Sequence, residues 1–210
     1  MQSPQKTTRD YFNTAILGLI IGLFLIPTER NLAGKHSALF IGGIIAFPLL
    51  SLLGMFIAKK LLERFAAVFQ FVKYGLTGTA NTAINLGVIN VFVLTTGVAK
   101  GAETIIFSVV AFIASLSNSY YWNSHWSFKS ENTRTMKEFV VFGIVTLIGV
   151  ILNSSIVYII TRIAPPASIS PKLWINIASL TATLIVLFWN FYGFRKIVFK
   201  SSRSLPEVKA

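Results

Sequence analysis

Asn118 and Trp122 stand one helical turn apart, with Asn123 directly after, and a similar order recurs as Asn190, Phe194, Arg195 and Lys196. Tyr121 belongs to the first group, and Lys73 lies one residue before another uncharged stretch. Amides pair a donor with an acceptor, and guanidinium and ammonium groups recognise anions such as phosphate. Residues of these types at the edge of an apolar region suit a polar headgroup. Two plainer roles compete with that reading. Trp and Tyr at a membrane end also act as interfacial anchors, which fits Trp126 and Tyr120. Lys73 fits equally a lysine that snorkels to the interface, and His125 fits a polar cap.

A second polar set lies deeper. Asn81 and Asn85 are four residues apart and share one helix face with Gly78. Gly149 and Asn153 have the same spacing further along. They form either a polar path or polar glue between closely packed helices, where Gly, Ser, Thr and Asn are common.

The elements that must position these residues follow from composition. Of 210 residues, 54% are hydrophobic and only 12% charged. A soluble domain carries about 25% charged residues. With a mean hydropathy of +0.68, the natural solvent is a bilayer. Six runs carry no Asp, Glu, Lys or Arg: Tyr11–Thr28, Ala38–Ala58, Tyr74–Ala99, Thr104–Asn123, Phe139–Thr161 and Leu173–Phe194. Each is close to the length of about 20 residues that a helix needs to cross the hydrocarbon core. The first run ends in IPTER with no small-x-small cleavage site, so it reads as an uncleaved span. The expected fold is all-α, a polytopic membrane protein of six transmembrane helices.

The loops set the orientation. With the N-terminus cytoplasmic, 14 of the 19 basic residues fall inside and five outside. The outside set is Arg30, Lys35, Lys100, Arg162 and Lys172. The positive-inside rule then puts both termini, and both asparagine-aromatic endings, in the cytoplasm. The net charge of +12 lies between apolar runs, which points to anionic lipid headgroups and not to nucleic acid.

The chain also repeats itself. Phe71, Gly75 and Asn85 meet Phe139, Gly143 and Asn153 at an offset of 68. Tyr121, Phe128, Lys129 and Ser130 meet Tyr192, Phe199, Lys200 and Ser201 at an offset of 71. Two hairpins of equal orientation form such a pattern, a layout used by some transporters. The expected organisation is an N-terminal transmembrane hairpin with an interfacial connector over residues 1–69, a four-helix core of two parallel-repeat hairpins over 70–200, and a basic cytoplasmic tail over 201–210.

The order FVKYGLTGTANTAIN, then NSYYWNSHWSF, then NFYGFRKIVF resembles the GtrA-like family over residues 70–200. Gly78, Asn81 and Thr82 and the two endings carry the likeness. The resemblance implies a small four-span protein that moves sugars carried on polyprenyl monophosphate across the cytoplasmic membrane, for cell-surface polysaccharide or glycan synthesis. It differs from the family in its extra N-terminal hairpin, in Ser124 and His125 where basic residues are common, and in Asn85 where many members have Asp. On this reading the substrate-binding residues are Lys73, Asn81, Asn85, Asn118, Tyr121, Trp122, Asn123, Asn153, Asn190, Arg195 and Lys196. Basic groups would meet the phosphate; amides and rings would meet the sugar. Asn118, Asn123, Asn190, Arg195, Lys196 and Lys73 are expected around one cavity open to the cytoplasmic leaflet. The implied partners are the lipid-linked sugar, membrane lipids and a membrane glycosyltransferase. A four-span core is small for enclosing a headgroup, which points to a homodimer.

Other classes fare worse. The chain has no cysteine and only two histidines, His36 and His125, so no thiol chemistry and no local metal motif is expected. All seven acidic residues fall outside the charge-free runs, which argues against proton-coupled drug export. No acid/base pair or phosphate loop stands out, so neither catalysis nor a cofactor is expected. The main competitor is a non-transporting anchor or assembly partner for a polyprenyl-phosphate glycosyltransferase.

Overall fold

A computed structural model of the chain describes residues 4–33, 39–62, 64–128, 135–163 and 171–199. The basic tail 201–210 lies outside them, as do Lys129, Arg134 and Lys200. The described residues form helices and short connections, with no strand among them. In chain order these are α1 (Pro4–Ala33), α2 (Leu39–Leu62), α3 (Ala66–Thr96), α4 (Glu103–Trp122), α5 (Met136–Arg162) and α6 (Pro171–Gly193). Among the described residues, six helices are long and apolar enough to cross a membrane. The protein is a multi-pass membrane protein.

Local sequence sets several boundaries. Gly97 ends α3 in the left-handed region at φ 72°, and its N–H bonds the Val93 carbonyl at 2.9 Å. Only glycine adopts that conformation without strain. Thr135 begins α5, its hydroxyl accepting the Glu138 N–H at 3.2 Å. That Thr-x-x-Glu order is an N-terminal capping signal. The last turn after α4, Asn123–Ser127, is π-helical, and so is the last turn after α6, Phe194–Val198. The two π-turns lie 71 residues apart, the offset at which the endings repeat in sequence.

The chain forms two compact units, one up to Ser127 and one from Phe128. In the first unit α1 packs against α2 and α3, and α3 packs against α4. Buried residues recur along α1 at Asp10, Thr14, Leu17 and Ile21, one face of a helix. Leu17, Ile21, Met55, Ala58, Phe69, Ala80, Ala83, Trp122 and Trp126 form the core. Small residues bring the backbones close. A Cβ at Gly18 would lie 2.6 Å from Pro48 Cα, and one at Gly22 would lie 2.8 Å from the Gly43 carbonyl oxygen. Gly87 of α3 similarly abuts the Phe24 carbonyl of α1. Outside this core, Leu50, Leu53, Phe56, Ile105 and Ile106 stand exposed, as lipid-facing side chains do.

The second unit is the α5–α6 hairpin. Gly193 faces Val145, and Gly149 faces the Asn190 amide. The Trp189 indole N–H donates to the Val145 carbonyl at 3.1 Å. Phe142 stacks on Phe194 at 4.3 Å between centroids, and Phe128 stacks on Phe199 at 5.3 Å. Phe191 completes this aromatic cluster through Phe128.

The sequence suggests an interfacial connector over Lys59–Gln70 with Lys59, Lys60, Glu63 and Arg64 facing headgroups, but α2 runs to Leu62 and α3 starts at Ala66, and Glu63 lies outside the described residues. Lys60 and Arg64 are exposed there, but Lys59 turns inward and is buried.

Candidate functional site

The start of α1, the end of α2, the start of α3 and the π-turn after α4 meet at one end of the first unit, as antiparallel connection requires. A buried ion pair lies at their meeting point. Lys73 Nζ donates to Asp10 Oδ1 at 2.5 Å, and the Trp126 indole N–H donates to the same oxygen at 2.9 Å. Asp10 is 2% exposed and Lys73 4%. Lys59 Nζ lies 3.9 Å from Asp10 Oδ2 and donates to Thr7 Oγ1 at 2.9 Å. Asp10 Oδ2 is buried and accepts no hydrogen bond from the described residues. The Lys73 ammonium also lies over the rings of Phe69 and Trp126, 4.8 and 5.3 Å from their centroids.

This pair has a physical logic. An isolated charge in a low-dielectric interior is very costly, so buried charges are paired and hydrogen-bonded. Here the carboxylate comes from one hairpin and both of its closest donors come from the next. Thr77, one turn beyond Lys73, bonds the Lys73 carbonyl at 3.1 Å and approaches Ser127 Oγ at 3.5 Å.

A second polar chain lies beside it. Trp122 Nε1 donates to Asn118 Oδ1 at 3.1 Å, and Asn118 Nδ2 donates to Asn81 Oδ1 at 2.7 Å. Asn123 is 0% exposed; its Nδ2 donates to Ser119 Oγ at 3.2 Å while its Oδ1 accepts nothing from the described residues. Buried polar atoms without partners are uncommon, so this oxygen marks a place of unmet hydrogen-bonding capacity. Tyr121 is exposed, and its ring stacks on His125 at 4.3 Å. Arg9 donates to the His125 carbonyl at 3.5 Å.

Several sequence-selected residues are thus brought together: Asn81, Asn118 and Trp122 in one hydrogen-bonded chain, with Asn123 and Tyr121 beside it in the chain. Lys73 is drawn into the ion pair instead. Asn85 is half-buried and bonds no other described residue. In the second unit, Asn190 is half-buried with its Oδ1 unpaired against Gly149. Asn153 and Arg195 are half-buried and Lys196 is exposed. The endings lie in separate compact units, and each carries its own chemistry: amides, hydroxyls and indoles in the first, two cations in the second.

Sequence reasoning missed Asp10, Trp126, Thr77 and Ser127 as buried partners. The signal for Asp10 was its place in the stripe with Thr14, Leu17 and Ile21, which sets it on the packed face of α1. Lys73, Thr77, Ala80 and Gly87 form the matching stripe on α3.

Residues 73–199, more than half of the chain, match the family described as GtrA/DPMS, transmembrane domain. The chain belongs to this family. The matched region opens at Lys73, so Asp10 and Lys59 come from outside it and Trp126 from within it. No curated protein and no solved structure matches the chain significantly.

Proposed function

We propose that the protein translocates a polyprenyl-monophosphate-linked sugar across the cytoplasmic membrane, feeding cell-surface polysaccharide or glycan synthesis. Family membership supports a role with lipid-linked sugars. The observation that carries the reading is the amide chain Asn81–Asn118–Trp122, with the orphaned Asn123 oxygen close by in sequence. Amide groups inside a membrane protein match the hydroxyls of a sugar, and Trp122 adds an apolar face. Lys73 and, at the second ending, Arg195 and Lys196 are the cations available to the phosphate.

The polyprenyl tail stays in lipid throughout, so the protein needs only to shelter the phosphate and the sugar from hydrocarbon. It carries out no chemistry on either. Both termini lie in the cytoplasm, which puts the two endings on the leaflet where substrate is loaded. The working unit is a homodimer, since one four-helix core encloses little space, and it works beside a membrane glycosyltransferase. On this reading Asn85 adds a polar group within the first unit, and Asn153 and Asn190 within the second.

Reconstitution into sealed vesicles with a labelled polyprenyl phosphosugar tests it. Label crossing to the opposite leaflet in the presence of the protein alone is the expected result. The anchoring role, favoured by the extra N-terminal hairpin, predicts no movement without a partner enzyme.

A further inference from the structure

The donors around Asp10 Oδ1 form an anion seat. Lys73 supplies a charged donor at 2.5 Å and Trp126 a neutral one at 2.9 Å. Both residues belong to the family-matched region, whereas Asp10 does not. We infer that the N-terminal hairpin plugs a phosphate seat of the family domain with its own carboxylate, and that the phosphate of a lipid-linked sugar displaces Asp10 from Lys73. This rests on the proposed substrate.

Three observations carry the exchange. First, the charges balance, because a carboxylate and the phosphodiester of a phosphosugar each carry one negative charge. Second, Asp10 has somewhere to go. Its Oδ2 accepts no hydrogen bond from the described residues and lies 3.9 Å from Lys59 Nζ, so a short rotation trades one lysine for the other. Without that second lysine, a displaced carboxylate would be buried unpaired. Third, one wall of the seat is an irregular turn. Trp126 and Ser127 stand on a π-turn, an irregular geometry that often marks functional sites in helices. Ser127 is held to Thr77 only by a 3.5 Å contact. Rewinding this turn would lift the indole from Asp10 and open the seat.

Population arithmetic gives the expected size. A plug that fills the seat in about nine of ten molecules weakens apparent affinity about tenfold. The full chain in detergent is titrated with methyl farnesyl phosphate, a singly charged phosphodiester, and with inorganic phosphate and farnesol, and equilibrium binding is measured. Asp10→Asn keeps the acceptor for Trp126 and removes the charge, so methyl farnesyl phosphate should bind about tenfold tighter. Adding Lys73→Gln should abolish that gain. Lys59→Gln leaves Lys73 as the lysine paired with Asp10, and raising plug occupancy from about nine in ten to about ninety-nine in a hundred should weaken binding about tenfold. It keeps the test open even where Asp10→Asn does not fold.

Unchanged or weaker binding by a folded Asp10→Asn overturns the plug, as does unchanged or tighter binding by Lys59→Gln. An equal gain with inorganic phosphate overturns the lipid headgroup as occupant, and an equal gain with farnesol overturns an anion seat altogether. Vesicle transport by the wild-type protein reads the transport reading separately. Transport without the binding changes refutes only the plug; binding changes without transport refute only translocation.

Discussion

Gly18 is expected to be intolerant of even one methyl group. Its Cβ would meet Pro48 Cα at 2.6 Å, with the Phe47 carbonyl oxygen and Pro48 N both at 2.9 Å. These are backbone atoms, so no side chain can swing aside. Carbon atoms attract best at about 3.5–4.0 Å, so Gly18→Ala forces α1 and α2 apart by about 1 Å. A gap of that size forfeits about a quarter to a half of the dispersion energy at each contact it opens. Overpacking of this kind costs about 1–3 kcal/mol. Alanine also gains about 1 kcal/mol over glycine in helix propensity, which masks part of the loss. Gly54→Ala removes that ambiguity, because Gly54 also lies within a helix of this hairpin but nothing stands within 4 Å of its Cβ. The difference between the two variants isolates packing and should be about 1–3 kcal/mol, with Gly18→Ala the less stable. Unfolding in mixed micelles, followed by tryptophan fluorescence, measures both. If Gly18→Ala is as stable as Gly54→Ala, the close approach of α1 and α2 does not exist, and the placement of Asp10 by α1 loses its support.

Three further outcomes are expected. Arg195→Ala should slow vesicle transport about ten- to a hundredfold, since a hydrogen bond to a charged group contributes about 1.5–3 kcal/mol. Arg195→Lys should recover only part, because a planar fork becomes a point charge, and equal transport by all three proteins would remove Arg195 from phosphate recognition. A reporter fused after Lys100, in the connection between α3 and α4, should read as external; a cytoplasmic signal would reverse the orientation. Thr135→Ala removes the cap on Glu138 N and should destabilise the α5–α6 hairpin by about 0.5–2 kcal/mol, whereas Thr135→Ser should leave its stability close to wild type in the same micelle unfolding assay.

The apolar runs located all six spans, because hydrocarbon thickness imposes a length that no soluble helix must meet. They did not locate the ends. Counting charges stops the first run at Tyr11, yet α1 starts at Pro4 and carries Asp10 into the packed interior. A charge reads as a boundary only while its partner is unknown, and Lys73 lies 63 residues away. Lys59 misled for the same reason. The capping order Thr135–Glu138 is local and visible in the sequence, whereas the meaning of the glycine pair Gly18–Gly22 depended on which helix stood opposite. Packing joins α1 and α2 to α3 and α4 in the first unit, which the repeat does not express. A repeat records likeness between segments, not which neighbour buries them.

The π-turns show what the repeat does preserve. A widened turn disturbs the regular carbonyl partners of a helix, and a carbonyl at a buried helix end must find a donor. In the first turn side chains answer: the Tyr121 carbonyl accepts from Ser124 Oγ at 3.1 Å and from His125 Nδ1 at 2.7 Å. A carbonyl only accepts, so Nδ1 holds the hydrogen in this contact. In the second turn the Phe199 N–H reaches back five residues to the Phe194 carbonyl at 2.8 Å. Both turns share the π-helical backbone, end beside a buried phenylalanine, Phe128 or Phe199, and follow an exposed tyrosine, Tyr121 or Tyr192. That leaves the intervening positions free to differ, so the first turn can carry Ser124 and His125 where the second carries Arg195 and Lys196.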